Sequence, residues 1–157
     1  MNYSIREIEK CEYGLLKDFL YEAIFIPKDG EPPPKTITAS PEMQVYIKCF
    51  GESRDDRALV AESGGKIIGA VWVRIMKDYG HIDDETPSFA ISLYREYRGL
   101  GIGTAMMREM LLLLKESGYK RASLAVQKAN YAVNMYQRLG FETVRENLGE
   151  YIMVKQL

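Results

Sequence analysis

Between an apolar run ending at Leu93 and a longer one opening at Ile102, the chain reads Arg95-Glu96-Tyr97-Arg98-Gly99-Leu100-Gly101-Ile102-Gly103-Thr104. Glycine at every second position leaves the backbone without Cβ atoms, so a bulky anion can approach it closely. A helix starting here has first-turn N–H groups with no acceptor of their own and the positive end of its dipole. A phosphate or pyrophosphate is the natural guest. Arg98, with Arg95 nearby, adds positive charge. The same glycines would equally serve a tight turn and close helix–sheet packing. Two common phosphate motifs are excluded. No G-x-x-x-x-G-K-[ST] string exists, and neither frame of G-x-G-x-x-G closes, because Thr104 and Met106 stand where the third glycine belongs. Ser123 also occupies the place about 20 residues on where a dinucleotide fingerprint has its acidic residue. R-x-x-G-x-G, from Arg98 to Gly103, is left.

Other chemistries are narrowed by what is scarce. His81 is the only histidine, so no histidine cluster can hold zinc, and a Ser-His-Asp hydrolase would have to use that one residue. Cys11 and Cys49 form no C-x-x-C pair and read as two free thiols in a reducing compartment. His81, Asp83, Asp84 and Glu85 cluster ahead of a strand, where one could act as a general base; water is the alternative, and a loop of charges is commonly just solvated. With 21 Lys and Arg against 22 Asp and Glu, the formal net charge is −1, without the basic footprint of a nucleic-acid binder. The opening MNYSIREIEK has charges where a signal peptide needs apolar residues, and no stretch nears the ~20 apolar residues that span a bilayer. A cytoplasmic protein with no nucleic-acid or membrane partner is expected.

The elements that must position these residues follow from periodicity. Tyr3, Ile5 and Ile8 fit a short strand, and Leu15 to Ala23 recur at helical spacing, predicting a helix over 15–26 stopped by Pro27. A proline-rich loop over 27–40 leads to Ser40-Pro41-Glu42, a helix start expected to run to Phe50. Strands at 57–62 and 66–76 flank Ser63-Gly64-Gly65 as a hairpin, and a third strand lies at 88–93. Helix 100–117 buries Ile102, Met106, Met110 and Leu113 on one stripe, widened by Leu111, Leu112 and Leu114. Strand 122–126, helix 130–139 and a hairpin of strands 141–146 and 150–155 complete the chain. The order β-α-α-β-β-β-α-β-α-β-β predicts an α/β fold in one domain over 1–157, a central mixed sheet with helices on both faces.

On these residues the chain resembles the GNAT superfamily of acyl-CoA-dependent N-acetyltransferases. Their [Q/R]-x-x-G-x-[G/A] signature at a strand-to-helix turn is matched by Arg98, Gly101 and Gly103. Their next block is matched by Leu124-Ala125-Val126-Gln127-Lys128-Ala129-Asn130 followed by Tyr136 and Leu139-Gly140-Phe141. The likeness covers nearly the whole chain and is least specific before residue 57.

The resemblance implies acetyl-CoA as acyl donor, no metal, and a small-molecule or peptide amine as acceptor. In such proteins the coenzyme A pyrophosphate lies on the glycine-loop amides, here Arg98, Gly99, Leu100, Gly101, Ile102, Gly103 and Thr104. The pantetheine pairs like an added strand beside Ile91, Ser92 and Leu93. That strand and the next splay apart around the thioester, whose carbonyl is polarised by an N–H near Leu93 or Tyr94. A neutral amine attacks directly in a ternary complex. Tyr136 is the expected general acid for the leaving thiolate, with a core tyrosine as the competing assignment. Asn130 is a pantetheine contact or simply a helix cap. A non-catalytic acyl-CoA sensor of the same shape is the alternative function, and the final hairpin is a candidate homodimer edge. Trp72 is expected in the core.

Overall fold

The computed structural model describes residues 1–157. Its elements are β1 (Ser4–Glu7), α1 (Leu15–Glu22), α2 (Pro41–Gln44), β2 (Arg57–Ser63), β3 (Lys66–Arg74), β4 (Ser88–Leu93), α3 (Ile102–Glu116), β5 (Arg121–Gln127), α4 (Ala132–Arg138), β6 (Glu142–Glu146) and β7 (Glu150–Gln156), with short 3-10 turns between some of them. The strands form one sheet in the order β1-β2-β3-β4-β5-β7-β6. All neighbours are antiparallel except β4 and β5.

The tight β2–β3 turn has Gly64 and Gly65 at φ 57° and 79°, a pair of left-handed residues that only glycine adopts without strain. Both strands are near-continuous apolar runs because both sheet faces are covered. Ala61 faces Gly69 and Glu62 faces Ile67, so Ile68 is an extra residue. This bulge reverses the side-chain alternation of β3.

The two faces carry separate cores. Leu16, Phe19 and Leu20 of α1 pack with Ala58, Val60, Ala70, Trp72 and Ala90. On the other face α3 and α4 cover Leu59, Val71, Phe89, Leu93, Leu124 and their neighbours. α3 buries Ile102, Met106, Met107, Met110, Leu111 and Leu114, while Leu113 is half-buried and Leu112 exposed. The expected stripe is therefore correct except for Leu112, which lies on the opposite side of the helix.

Two helices are shorter than their spacing predicts. α1 ends at Glu22, four residues early. The Ile24 N–H bonds the Tyr21 carbonyl in a tightened turn, and Ile26, preceding Pro27, is disfavoured in helical conformation. α2 ends at Gln44, after which the Tyr46 and Ile47 N–H groups bond carbonyls three residues back, Met43 O and Gln44 O, at 3.1 Å each. Arg74 Nη1 donates to Val45 O at 3.2 Å, and Trp72 Nε1 to Tyr46 O at 3.0 Å. Residues 45–50 wind on as turns instead. Trp72 itself is fully buried.

Arg74 is held by Asp56, whose side chain is only 2% exposed and accepts from Arg74 Nε at 3.0 Å, Arg74 Nη2 at 3.2 Å and the Gly51 amide at 2.9 Å. Removing one partner of such a pair leaves a charge buried alone. Asp56→Ala is expected to cost about 3 kcal/mol in a denaturant titration; a loss under about 1 kcal/mol, the range of an exposed pair, would contradict this role. No helix is long and apolar enough to cross a membrane.

Candidate active site

β4 and β5 are joined by a single pair, Ser88 with Ser123, and beyond it they diverge. The base of the gap is wedged by Gly80. A Cβ there would lie 2.9 Å from the Leu124 carbonyl carbon and 3.0 Å from both the Ala125 nitrogen and Ser88 Oγ, so only glycine fits. Ser123 Oγ donates to the Gly80 carbonyl at 2.7 Å and fixes the wedge.

The far end of β4 is held away from β5. Ser92 Oγ donates to Phe19 O at 2.5 Å, and the Tyr94 N–H to Ile68 O at 3.0 Å. Alternation in an antiparallel ladder then turns the backbone groups of Ile91 and Leu93 away from β3, into the gap. The Tyr94 amide, one of two expected to polarise a thioester, is thus already committed; the Leu93 amide faces the opening.

At the mouth of the gap, Gly99 and Gly101 have φ 75° and 85°. A Cβ at either would meet nothing within 4 Å, so these glycines border open space. Gly103 differs: it packs inward, with Leu93 Cδ1 3.8 Å and Met135 Sδ 4.0 Å from where its Cβ would be. The amides of Gly99, Leu100, Gly101, Ile102, Gly103 and Thr104 donate to no acceptor in the protein, and the ladder of α3 opens with the Ala105 N–H on Gly101 O at 3.1 Å. Six successive free N–H groups at the start of a 15-residue helix form a cradle for an anion.

Arg98 is placed differently from its expected role beside that anion. Its Nε donates to Leu93 O at 3.0 Å, and its Nη2 to Glu22 O and Glu22 Oε2 at 3.1 Å each. Its charge is spent on Glu22, and the side chain ties the end of α1 to the end of β4.

Tyr136 lies on the inward face of α4 with Val133. Asn130 Oδ1 accepts the Ala132 N–H at 2.9 Å, so Asn130 caps this helix. Gly140, at φ 98°, ends it, and the Phe141 N–H returns to Tyr136 O at 3.0 Å. This helix stop packs Phe141 against Tyr136, with ring centroids 6.0 Å apart, and Phe141 in turn meets Phe89 at 6.1 Å. Phe89 follows Ser88, so the aromatic chain leads from Tyr136 to the base of the gap. Tyr136 is 8% exposed, and its hydroxyl makes no hydrogen bond within the protein. Burial pushes its pKa up to about 12, which keeps the phenol protonated.

Among the loop charges ahead of β4, Lys77 and His81 lie near Asp84, while Asp83 pairs outside the loop. His81 Nδ1 is 2.8 Å from Met76 O, and its Nε2 is 3.7 Å from Asp84. Asp83 pairs with Arg121 and accepts the Glu85 N–H at 2.8 Å; that bond, the Thr86 hydroxyl and Arg121 hold its pKa below the usual carboxylate value. Asp84, Lys77 and Glu85 are exposed.

The carboxylate at the gap is Asp78, which the sequence did not single out. Its Oδ2 accepts the Ser88 hydroxyl at 2.6 Å, while its Oδ1 is buried without a hydrogen-bond partner. Burial raises its pKa above the ordinary value. The only local signal is Gly80 two residues on, whose contact with β5 becomes visible only in three dimensions. No three His, Cys, Asp or Glu side chains converge as metal ligands.

The loop after α1 is pinned rather than loose. Tyr21 donates its hydroxyl proton to Pro33 O at 2.6 Å, and Gln44 Nε2 donates to Thr38 O at 2.7 Å.

Comparison with known proteins identifies the family and the fold. A family model described as Acetyltransferase (GNAT) family matches residues 7–141. N-acetyltransferase 8 of Rattus norvegicus is 30% identical over 107 residues, 68% of this chain and 48% of its own length. An N-alpha-acetyltransferase of Sulfurisphaera tokodaii is 30% identical over 95 residues, covering 55% and 56%. The chain spans about half the length of the curated relatives it matches. Among solved structures, the PaiA N-acetyltransferase of Thermoplasma acidophilum, in complex with coenzyme A, superimposes with a TM-score of 0.72 at 20% identity, over 100% of both chains. An acetyltransferase of the GNAT family from Streptococcus pneumoniae gives 0.71 at 23%, over 99% of this chain and 100% of its own. At these identities the superpositions establish a shared fold.

Proposed function

Because the chain belongs to the acetyltransferase (GNAT) family, we propose that it moves an acetyl group from acetyl-CoA to a primary amine, by direct attack within a ternary complex, and that residues 1–157 form one catalytic domain. The observation that carries this reading is the row of six free amides, Gly99 to Thr104, at the mouth of a gap between β4 and β5. The amides take the diphosphate. The pantetheine runs along β4 as an added strand, meeting the backbone groups of Ile91 and Leu93. The thioester then lies between the strands, with the Leu93 N–H directed at its carbonyl oxygen.

Arg98 acts here as a brace, holding the β4 end open through Leu93 O. Asn130 serves the site through its cap, which fixes the start of α4 and so the depth of Tyr136. Tyr136 supplies the proton for the departing thiolate. Its burial suits the task, because a phenol kept neutral arrives at each turnover carrying its proton. The acceptor comes from the opposite face, under α1 and the pinned 27–40 loop.

A thermal-shift series tests the donor assignment. Acetyl-CoA at about 100 times its dissociation constant is expected to stabilise the fold by roughly 2.7 kcal/mol, seen as a raised midpoint. A shift with NAD or ATP and none with coenzyme A would overturn it. Thiol release from acetyl-CoA with an amine panel then separates an enzyme from a silent acyl-CoA binder.

A further inference from the structure

The gap between β4 and β5 has two unlike sides. On β4, Ala90 packs in the core under α1, and Ser92 bonds the Phe19 carbonyl, so the even-numbered residues face α1 and α2. Phe89 and Leu93 face α3 and α4. Ser88 belongs to the first set, and the Asp78 carboxylate it holds therefore lies on the α1–α2 side. Tyr136, reached through Phe141 and Phe89, lies on the other.

Asp78 is also the carboxylate that nearby cations pass by. Arg74 is paired with Asp56, Lys77 and His81 stand over Asp84, and Arg121 is paired with Asp83. No ion pair reaches Asp78, and Oδ1 has no donor. The groups facing it are the Ser88 hydroxyl, the Gly80 and Asp78 backbone N–H groups and the Tyr46 phenol, with Glu150 and Tyr79 beside Tyr46, and none of them is a cation. A desolvated carboxylate without a counter-charge is costly unless something positive completes it.

We propose that Asp78 is the seat of the acceptor's ammonium group on the α1–α2 side of the gap, and that it takes the proton that frees the amine for attack. The acceptor is then a cationic primary amine, a deepening of the acetyl-transfer reading on which it rests. The steps balance. The ammonium gives one proton to Asp78, and the neutral nitrogen forms the C–N bond at the thioester carbon as the C–S bond breaks. The thiolate takes a proton from Tyr136, the nitrogen's second proton restores the phenol, and Asp78 releases its proton to solvent. Base and acid thus work from opposite faces of the sheet.

Asp78→Asn keeps the shape and the Ser88 contact but removes the charge. Thiol release is measured at saturating acetyl-CoA with phenethylamine, a cation at pH 7, and with 4-methylaniline, which is neutral there. The substitution is expected to lower kcat/KM for phenethylamine about 100-fold and for 4-methylaniline less than about 5-fold, with the acetyl-CoA thermal shift unchanged. Equal losses for both amines, or no loss, would overturn the assignment. Should Asp78→Asn fail to fold, Ser88→Ala frees the carboxylate from its anchor; it must penalise phenethylamine several-fold more than 4-methylaniline, and equal penalties overturn the assignment as well. A wild-type protein that binds acetyl-CoA yet releases no thiol with either amine overturns the transfer reading and Asp78's role with it. A fully active Asp78→Asn overturns Asp78 alone.

Discussion

Gly101→Val is expected to weaken acetyl-CoA binding by about 100-fold, roughly the loss of two charge-assisted hydrogen bonds to a phosphate. The branched side chain would stand in the open space that the Gly101 backbone borders, between the ligand and the amides of the cradle. From spacing alone this change is expected to leave the fold nearly untouched. The structure corrects that expectation. With φ at 85°, a residue with a Cβ adds about 1–2 kcal/mol of backbone strain, so a lower melting midpoint should accompany the binding loss. Gly103→Ala is the control. That position has no positive φ, and its new methyl would make only ordinary contacts with Leu93 and Met135. It should bind acetyl-CoA within a few-fold of wild type and gain about 0.5–1 kcal/mol, as alanine does over glycine inside a helix. Isothermal titration on the pair decides the matter: equal affinities for Gly101→Val and wild type would remove the diphosphate from this turn.

Tyr136→Phe should lower kcat about 100-fold while acetyl-CoA affinity stays within experimental error of wild type. The substitution is unusually clean because the Tyr136 hydroxyl has no partner in the protein, and a phenylalanine ring keeps the contact with Phe141. Neither a buried hydrogen bond nor a packing contact is removed, so an unchanged melting midpoint is part of the expectation. With its pKa pushed up to about 12, the phenol remains a donor throughout neutral pH, and loss of its proton should limit the wild-type rate only in strong alkali. Undiminished turnover in Tyr136→Phe would transfer the acid role to water.

What could be read from the sequence is what adjacent residues decide among themselves. The turn at Gly64-Gly65 and the glycine start of α3 follow from local chemistry, as does the Leu139-Gly140-Phe141 stop of α4. What could not be read depends on partners far along the chain. α2 looks capable of reaching Phe50, yet residues 45–50 wind as turns whose Val45 and Tyr46 carbonyls accept from Arg74 and Trp72, far along the chain. Arg98 reads as a phosphate ligand beside glycines, yet Glu22, 76 residues earlier, claims it. His81, Asp83, Asp84 and Glu85 draw attention as a dense group of ionisable residues, but Asp83 is claimed by Arg121 from β5, and within the group only His81 and Asp84 approach each other. Asp78 follows Lys77 directly, yet Lys77 pairs with Asp84, and Asp78 Oδ1 is left without a partner.

The lone Ser88–Ser123 rung has a mechanical side. It divides the sheet into two wings, β1 to β4 and β5 to β7, with one backbone tie between them. Any flexing of one wing against the other must pivot there, with the Gly80 backbone as fulcrum. A chain lying along β4 would splice the wings over their remaining length, turning a pivot into a rigid seam.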